Sequence, residues 1–209
     1  MANSAQRLLV IGPSWVGDMV MAQSLFMTLK ARQPGATIGV VAPAWSQPIL
    51  ERMPEVDEVL PLAVGHGEFG LLKERRKLDK QVLDQTVKRF VSLGLPLEEV
   101  ASGDFALPKP RLQIDRDNLV NLRLTHSLSS RTAIGMMPGA EYGPAKQWPI
   151  SYFHTLAKRL VNEGFEVRVL GGAKDHPAGE EITQGLAHAH NLCGKTQLAD
   201  AVDLLADCR

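Results

Sequence analysis

The sequence predicts an α/β protein built from two parallel-sheet halves joined by a proline-rich connection. Three observations carry this. Short apolar runs alternate with helical patterns over the first fifty residues, the same alternation restarts near residue 131, and a stretch rich in Pro and Gly separates the two. A length of 209 residues suits one large or two small domains, and an apolar content of 44% permits a packed core. The expected division is 1–94 for the first domain, 95–130 for a linker and connecting helix, and 131–209 for the second domain.

Leu8 to Ile11 is a continuous apolar run, the pattern of a strand covered on both faces. Gly12 to Asp18 breaks it, and Met19 to Arg32 reads as a helix, with Val20, Met21, Leu25, Met27 and Leu29 as its apolar face. Pro34-Gly35 ends that helix, and Ile38 to Val41 forms the next strand. Strand, helix, strand in this order requires parallel pairing through a right-handed crossover. Trp45 to Arg52 reads as a short helix and Val56 to Leu62 as a third strand. Asp79 to Gly94 is a helix, with Asp79 as its N-cap and Gly94 as its stop. Leu95 to Pro110 is the linker, and Asp117 to Ser127 a polar helix.

In the second half, Ala133 to Met137 is a strand and Gly139 to Trp148 a loop, with Pro149 at the first turn of the next helix. Tyr152, Phe153, Leu156, Leu160 and Val161 mark that helix's buried face, and Gly164 its end. Phe165 to Leu170 is a strand, Gly171 to His176 a loop, Glu180 to Ala189 a helix, Asn191 to Cys193 a short strand, and Leu198 to Cys208 the last helix.

Composition removes several function classes. Lys plus Arg and Asp plus Glu each number 23, so no global field draws the chain to nucleic acid. The apolar run after the short polar start is too brief for a signal sequence or membrane span. The two cysteines, Cys193 and Cys208, have neither metal-ligand spacing nor disulfide-framework density, and read as reduced thiols of a cytoplasmic protein. His176 has no second ligand at suitable spacing, so no metal site is expected.

Ligands of open parallel sheets bind beyond the carboxyl ends of the strands, where three loops fall: Gly12–Asp18, Gly139–Trp148 and Gly171–His176. The first is neither a dinucleotide fingerprint nor a P-loop, which argues against hydride transfer and NTP hydrolysis. Asp18 has two readings. It can be a helix-start carboxylate that answers free N–H groups, or a general base for an acceptor hydroxyl. The helix dipole favours the ionised carboxylate and weakens it as a base, so the second reading needs partial desolvation, by Trp15 or by substrate.

Pro138 to Pro149 is the most distinctive stretch. Its glycines let backbone N–H groups approach a phosphate, and Lys146 can place a charge on a departing diphosphate. As a lone loop lysine it would simply be solvated, and Trp148 could equally belong to the core. Lys174, Asp175 and Glu180 follow the next strand, where a carboxylate can bind ribose hydroxyls or merely begin a helix. Lys73, Arg75, Arg76 and Lys77 form the one dense basic run, either a solvated face or a contact for an acidic acceptor.

Four motifs, Val10 to Asp18, Ala42 to Trp45, Arg52 to Val56 and Pro138 to Lys146, resemble those of the lipopolysaccharide heptosyltransferases of glycosyltransferase family 9. The resemblance covers nearly the whole chain, and the motifs stand in family order. It implies the GT-B architecture, with two Rossmann-like halves, the acceptor on the first and the nucleotide sugar on the second. It also implies an inverting transfer of heptose from ADP-heptose to the inner core of lipopolysaccharide, at the inner membrane, without cofactor or metal. By motif match Asp18 takes the general-base position, with Ser14 and Trp15 beside the acceptor. Lys146, Gly139 and Glu141 take the donor-phosphate loop, and Lys174, Asp175 and Glu180 fall near the ADP moiety. Arg75, Arg76 and Lys77 would meet the phosphorylated core.

Compared with the family pattern, two segments are missing, one between Lys77 and Asp79 and one beyond Arg209, so both sheets are expected to be incomplete. The alternative function is a non-catalytic remnant that at most binds nucleotide. The expected location is the cytoplasm, with peripheral attachment to the inner face of the inner membrane and no transmembrane segment.

Overall fold

The structure, a computed structural model, describes residues 6–62, 83–140 and 143–209. Internal contacts divide the chain into two compact units, Met1–Gln113 and Ile114–Arg209. Each is built on a three-stranded parallel sheet.

In the first unit β1 (Arg7–Ile11), β2 (Thr37–Ala42) and β3 (Glu58–Pro61) lie in the order β1-β2-β3, with Val10 opposite Val40 and Val40 opposite Val59. The central strand β2 is the buried one. β1 alternates instead: Leu9 and Ile11 are 66% and 49% exposed. The unbroken apolar run thus did not mean two covered faces. Among the described residues β1 is an edge strand, and one of its faces alone packs inward.

Helix α1 (Val16–Arg32) ends at Gln33, whose N–H bonds back to Leu29. Its buried side chains are Met19, Ala22, Leu25 and Phe26, together with the polar Gln23, Ser24 and Thr28. Of the apolar face expected from spacing only Leu25 is among them. The helix is enclosed more widely because residues 103–113 run along it. Gln23 donates to Arg111 O (2.8 Å) and accepts from Arg111 N (2.8 Å), while the Ser24 hydroxyl donates to Pro108 O (2.6 Å). Each buried polar group is therefore paired, as burial demands.

After β2 a short 3-10 turn, Ala44–Ser46, leads into α2 (Gln47–Leu50). Helix α3 (Thr86–Ser92) packs against α1 and begins later than the sequence pattern implied; the N-cap expected at Asp79 lies outside the described residues. The stretch read as a linker contains a helix, α4 (Leu97–Ser102). Its two apparent breakers sit at its ends. Pro96 is the N-cap, and Gly103, at φ 70°, supplies the left-handed stop.

The second unit begins with α5 (Arg116–Thr125), whose N-cap Asp115 accepts from Asn118 N. Strands β4 (Ala133–Met136), β5 (Glu166–Val169) and β6 (Ala189–Asn191) lie in the order β4-β5-β6. Helices α6 (Ile150–Asn162) and α7 (His176–Thr183) pack together and give Ala157 and Ile182 to one apolar cluster. Helices α5 and α8 (Leu198–Ala206) pair and give Leu122 and Leu204 to a second, which also holds Leu170 and Leu192. Pro149 is the N-cap of α6, one residue ahead of the expected first-turn place.

Two elements differ from expectation. Helix α7 starts four residues early, because Pro177 sits in its first turn, and it ends before Gly185, which adopts φ 70°. Strand β6 covers Ala189–Asn191, so Leu192 and Cys193 follow it. The central strand β5 also buries two charges, Glu166 and Arg168, that spacing gave no reason to place inside. Arg168 pairs with Glu166 at 2.8 Å and with Asp207 at 2.7 Å, and Arg123 closes on the other oxygen of Asp207 at 2.5 Å. This network joins β5, α5 and the residues after α8. Among the described residues no helix is long and apolar enough to cross a membrane.

Candidate functional site

At the carboxyl end of the first sheet, Gly12 bonds through its N–H to Val41 O at 2.8 Å. A Cβ there would lie 2.7 Å from Met19 Cε and 3.3 Å from Val41 O, so the chain turns at a point where a side chain would crowd the core. Ser14 and Trp15 follow, and no side chain caps the start of α1. Asp18 stands in the first helical turn, half-buried. Trp15 is 46% exposed, and so nearly is Trp45, at 45%. The Trp45 indole N–H donates to Ser14 O at 2.9 Å, fixing the loop after β1 to the loop after β2. The structure thus brings Ser14, Trp15 and Asp18 together on one edge and adds Trp45. The motif containing Trp45 was visible in the sequence, but its contact with Ser14 was not.

The second unit gathers three loops at the ends of β4, β5 and β6. A Cβ on Gly139 would lie 2.7 Å from Asp175 Oδ1, and one on Gly171 2.7 Å from Asp175 Oδ2. Gly194 N donates to Gly171 O, and its own position admits no Cβ, since Ala173 Cα would be 2.8 Å away. Asp175 lies at the centre. Its carboxylate accepts from Gly172 N at 2.9 Å and fills the space the glycines leave. Its chemistry here is to join the Gly139 and Gly171 loops.

Lys146, itself exposed, ends a 3-10 turn, Pro144–Lys146, that follows Gly143 at φ 75°. Trp148 is 47% exposed and edge-on to Tyr152 (5.7 Å) and Phe153 (5.0 Å). It anchors the loop to α6 and still shows a face to solvent. Lys174 is exposed. Glu180 projects from the middle of α7 rather than from a helix start, and accepts from Asn191 Nδ2 at 2.7 Å. Asn191 was not singled out in the sequence; its place as the last residue of a strand in a parallel sheet was the available signal. Glu141, Arg75, Arg76 and Lys77, with the rest of the basic run, lie outside the described residues.

The electrostatics argue against thiol chemistry among these groups. Burial, chiefly, pushes the Cys193 thiol up to about 11, so it stays protonated at neutral pH. Among the described residues no group of three or more His, Cys, Asp or Glu side chains is placed to hold a metal ion. What remains is a set of glycine-lined loops, carboxylates and a loop lysine, suited to binding and displacing a phosphorylated leaving group.

Residues 62–209 match the model of glycosyltransferase family 9 (heptosyltransferase). The chain belongs to that family. Lipopolysaccharide heptosyltransferase 2 of Salmonella typhimurium is 40% identical over 262 aligned positions, which cover 97% of this chain and 75% of that protein. The aligned span exceeds this chain's length, so that relative carries internal residues without counterpart here. The solved structure of Escherichia coli ADP-heptose lps heptosyltransferase II superposes with a TM-score of 0.83 at 38% identity, covering 97% of this chain and 77% of that one. An E. coli heptosyltransferase with ADP matches at a TM-score of 0.69 and 15% identity over 97% and 79% of the two chains, a likeness of fold alone. This family-9 chain is therefore a glycosyltransferase of GT-B type, with two Rossmann-like parallel-sheet halves of three strands each among the described residues.

Proposed function

We propose that this glycosyltransferase moves heptose from ADP-heptose to the heptose of the lipopolysaccharide inner core, with inversion at the anomeric carbon. The observation that carries the reading is the 40% identity to a lipopolysaccharide heptosyltransferase 2 across 97% of the chain. The first unit takes the acceptor and the second the nucleotide sugar. Asp18 accepts the proton of the acceptor hydroxyl as its oxygen bonds to the anomeric carbon; the carbon–oxygen bond to the diphosphate breaks, and its electron pair leaves with ADP. Attack opposite the leaving group inverts the centre. Lys146 meets the charge that grows on the diphosphate, which requires no metal.

Ser14 and Trp15 contact the acceptor, and the basic residues Arg75, Arg76 and Lys77 meet its phosphates. Gly139, Glu141, Lys174, Asp175 and Glu180 serve the donor, Asp175 by holding the Gly139 loop in shape. The enzyme works in the cytoplasm, peripheral to the inner face of the membrane that carries its acceptor.

Incubation with ADP-heptose and a heptosyl inner-core acceptor tests this. Release of ADP matched by a glycoside of inverted configuration is the expected result. ADP binding without release would instead fit a remnant that retains only the nucleotide site, and retention of configuration would overturn the single-displacement chemistry.

A further inference from the structure

Asn191 ends β6 and is only 7% exposed, yet its amide points across to the first turns of α7. Nδ2 donates to Glu180 Oε1 at 2.7 Å and to His176 O at 3.0 Å, and Oδ1 accepts from Cys193 N at 3.1 Å. Both amide hydrogens are used, so the group has one orientation. The fold makes room for it: a Cβ on Gly179 would fall 2.1 Å from Asn191 Oδ1. His176 Nδ1 lies 3.1 Å from Cys193 O and 3.3 Å from Asn191 Nδ2, and its Nε2 faces Glu180 Oε1 at 3.6 Å. Glu180 itself is 60% exposed at its side chain.

We propose that Asn191 is a positioning residue that aims Glu180 at the donor nucleotide, and that Gly179 is required because it vacates the space the amide occupies. One carboxylate oxygen is held by the amide, which leaves the other to accept from hydroxyl groups of the nucleoside. Without Asn191 an exposed glutamate on a helix samples several rotamers, and binding must order it. The inference rests on the reading that Glu180 binds donor.

The test uses ADP as probe, by calorimetry on the full chain, with thermal melting alongside. Asn191→Ala weakens ADP binding on the order of tenfold, the scale of losing one hydrogen bond to a charged group. Gly179→Ala, which deletes no polar group, weakens it in the same direction by displacing the amide. In the double variant Gly179→Ala/Asn191→Ala the added methyl occupies the vacated space, so melting returns towards wild type while ADP binding stays weak. With Glu180→Ala already in place, Asn191→Ala adds no further loss. In turnover, KM for ADP-heptose rises while kcat stays within about twofold, because the amide acts on binding rather than on the reacting bond. A double variant that binds ADP as wild type does, or a loss from Asn191→Ala that persists undiminished without the Glu180 carboxylate, would overturn the assignment of Asn191 alone. If Glu180→Ala itself binds ADP normally, the donor role of Glu180 falls, and this inference with it.

Discussion

Replacing Arg168 with methionine removes the cation at the centre of the second unit while keeping most of the side-chain volume. Arg168 is fully buried and bonds Glu166 and Asp207, so the substitution leaves two carboxylates facing a vacated site. Asp207 keeps Arg123 as partner. Glu166 keeps the Ser129 N–H and hydroxyl and, at 3.5 Å, His190 Nε2, and is itself fully buried. Breaking a buried ion pair from one side costs about 3–5 kcal/mol, and the surviving Arg123 contact places this variant near the lower end. The cost has a definite pH dependence. In the wild type, burial pushes the Glu166 carboxyl up, but the Ser129 N–H and Arg168 outweigh it and hold the group below its ordinary value; burial likewise opposes, and Arg123 and Arg168 outweigh it, at Asp207.

A depressed folded value means stability that is present above the unfolded carboxylate range and lost as pH falls through the folded value. In the variant burial acts on Glu166 with the arginine gone, so protonation relieves the strain and the wild-type advantage shrinks as the solution is acidified. Urea titrations followed by circular dichroism between pH 8 and pH 4 measure the gap, and hydrogen exchange localises it to residues 114–209. An unchanged midpoint at neutral pH, or a gap that stays constant down to pH 4, would refute this account of the network.

Other outcomes follow from the same geometry. Lys146→Ala should lower kcat/KM for ADP-heptose by ten- to a hundredfold, the range expected for a charge-assisted contact of about 1.5–3 kcal/mol, in steady-state assays. Gly194→Ala should destabilise by about 2 kcal/mol or more in denaturant titrations, because φ is 72° and Ala173 Cα would stand 2.8 Å from the new methyl. Gly17→Ala, with nothing within 4 Å inside α1, should instead gain about 0.5–1 kcal/mol. With Cys193 raised to about 11 and Cys208 also raised, both mainly by burial, an aromatic disulfide reagent at pH 8 should label the native chain slowly and release two thiols only after denaturation.

Much of the fold was legible because its strands and longest helices obey their periods. β4, β5, α6 and α8 appear within a residue or two of where spacing puts them, and the parallel order follows from strand–helix–strand connectivity. The failures share a cause: proline and glycine mark helix ends as well as loops. Pro96 and Gly103, which suggested irregular chain, bound α4, and Pro177 opens α7. Burial of polar groups was the other blind spot. Nothing local marks Gln23 in α1, or Glu166 with Arg168 in β5, as buried; partners distant in sequence, such as the Arg111 backbone and Asp207, satisfy them. At the site, residue types were readable but contacts were not. Nothing local says that Asp175 fills the gap between Gly139 and Gly171, or that Gly179 exists to admit Asn191.

The central claim is that Asp18 takes a proton during heptosyl transfer. Asp18→Asn preserves shape and removes only the basic carboxylate, so kcat for ADP-heptose turnover with heptosyl acceptor should fall by about 10²- to 10⁴-fold while ADP binding by calorimetry is unchanged. A variant that turns over at the wild-type rate would contradict the claim directly. So would one whose entire defect lies in nucleotide affinity.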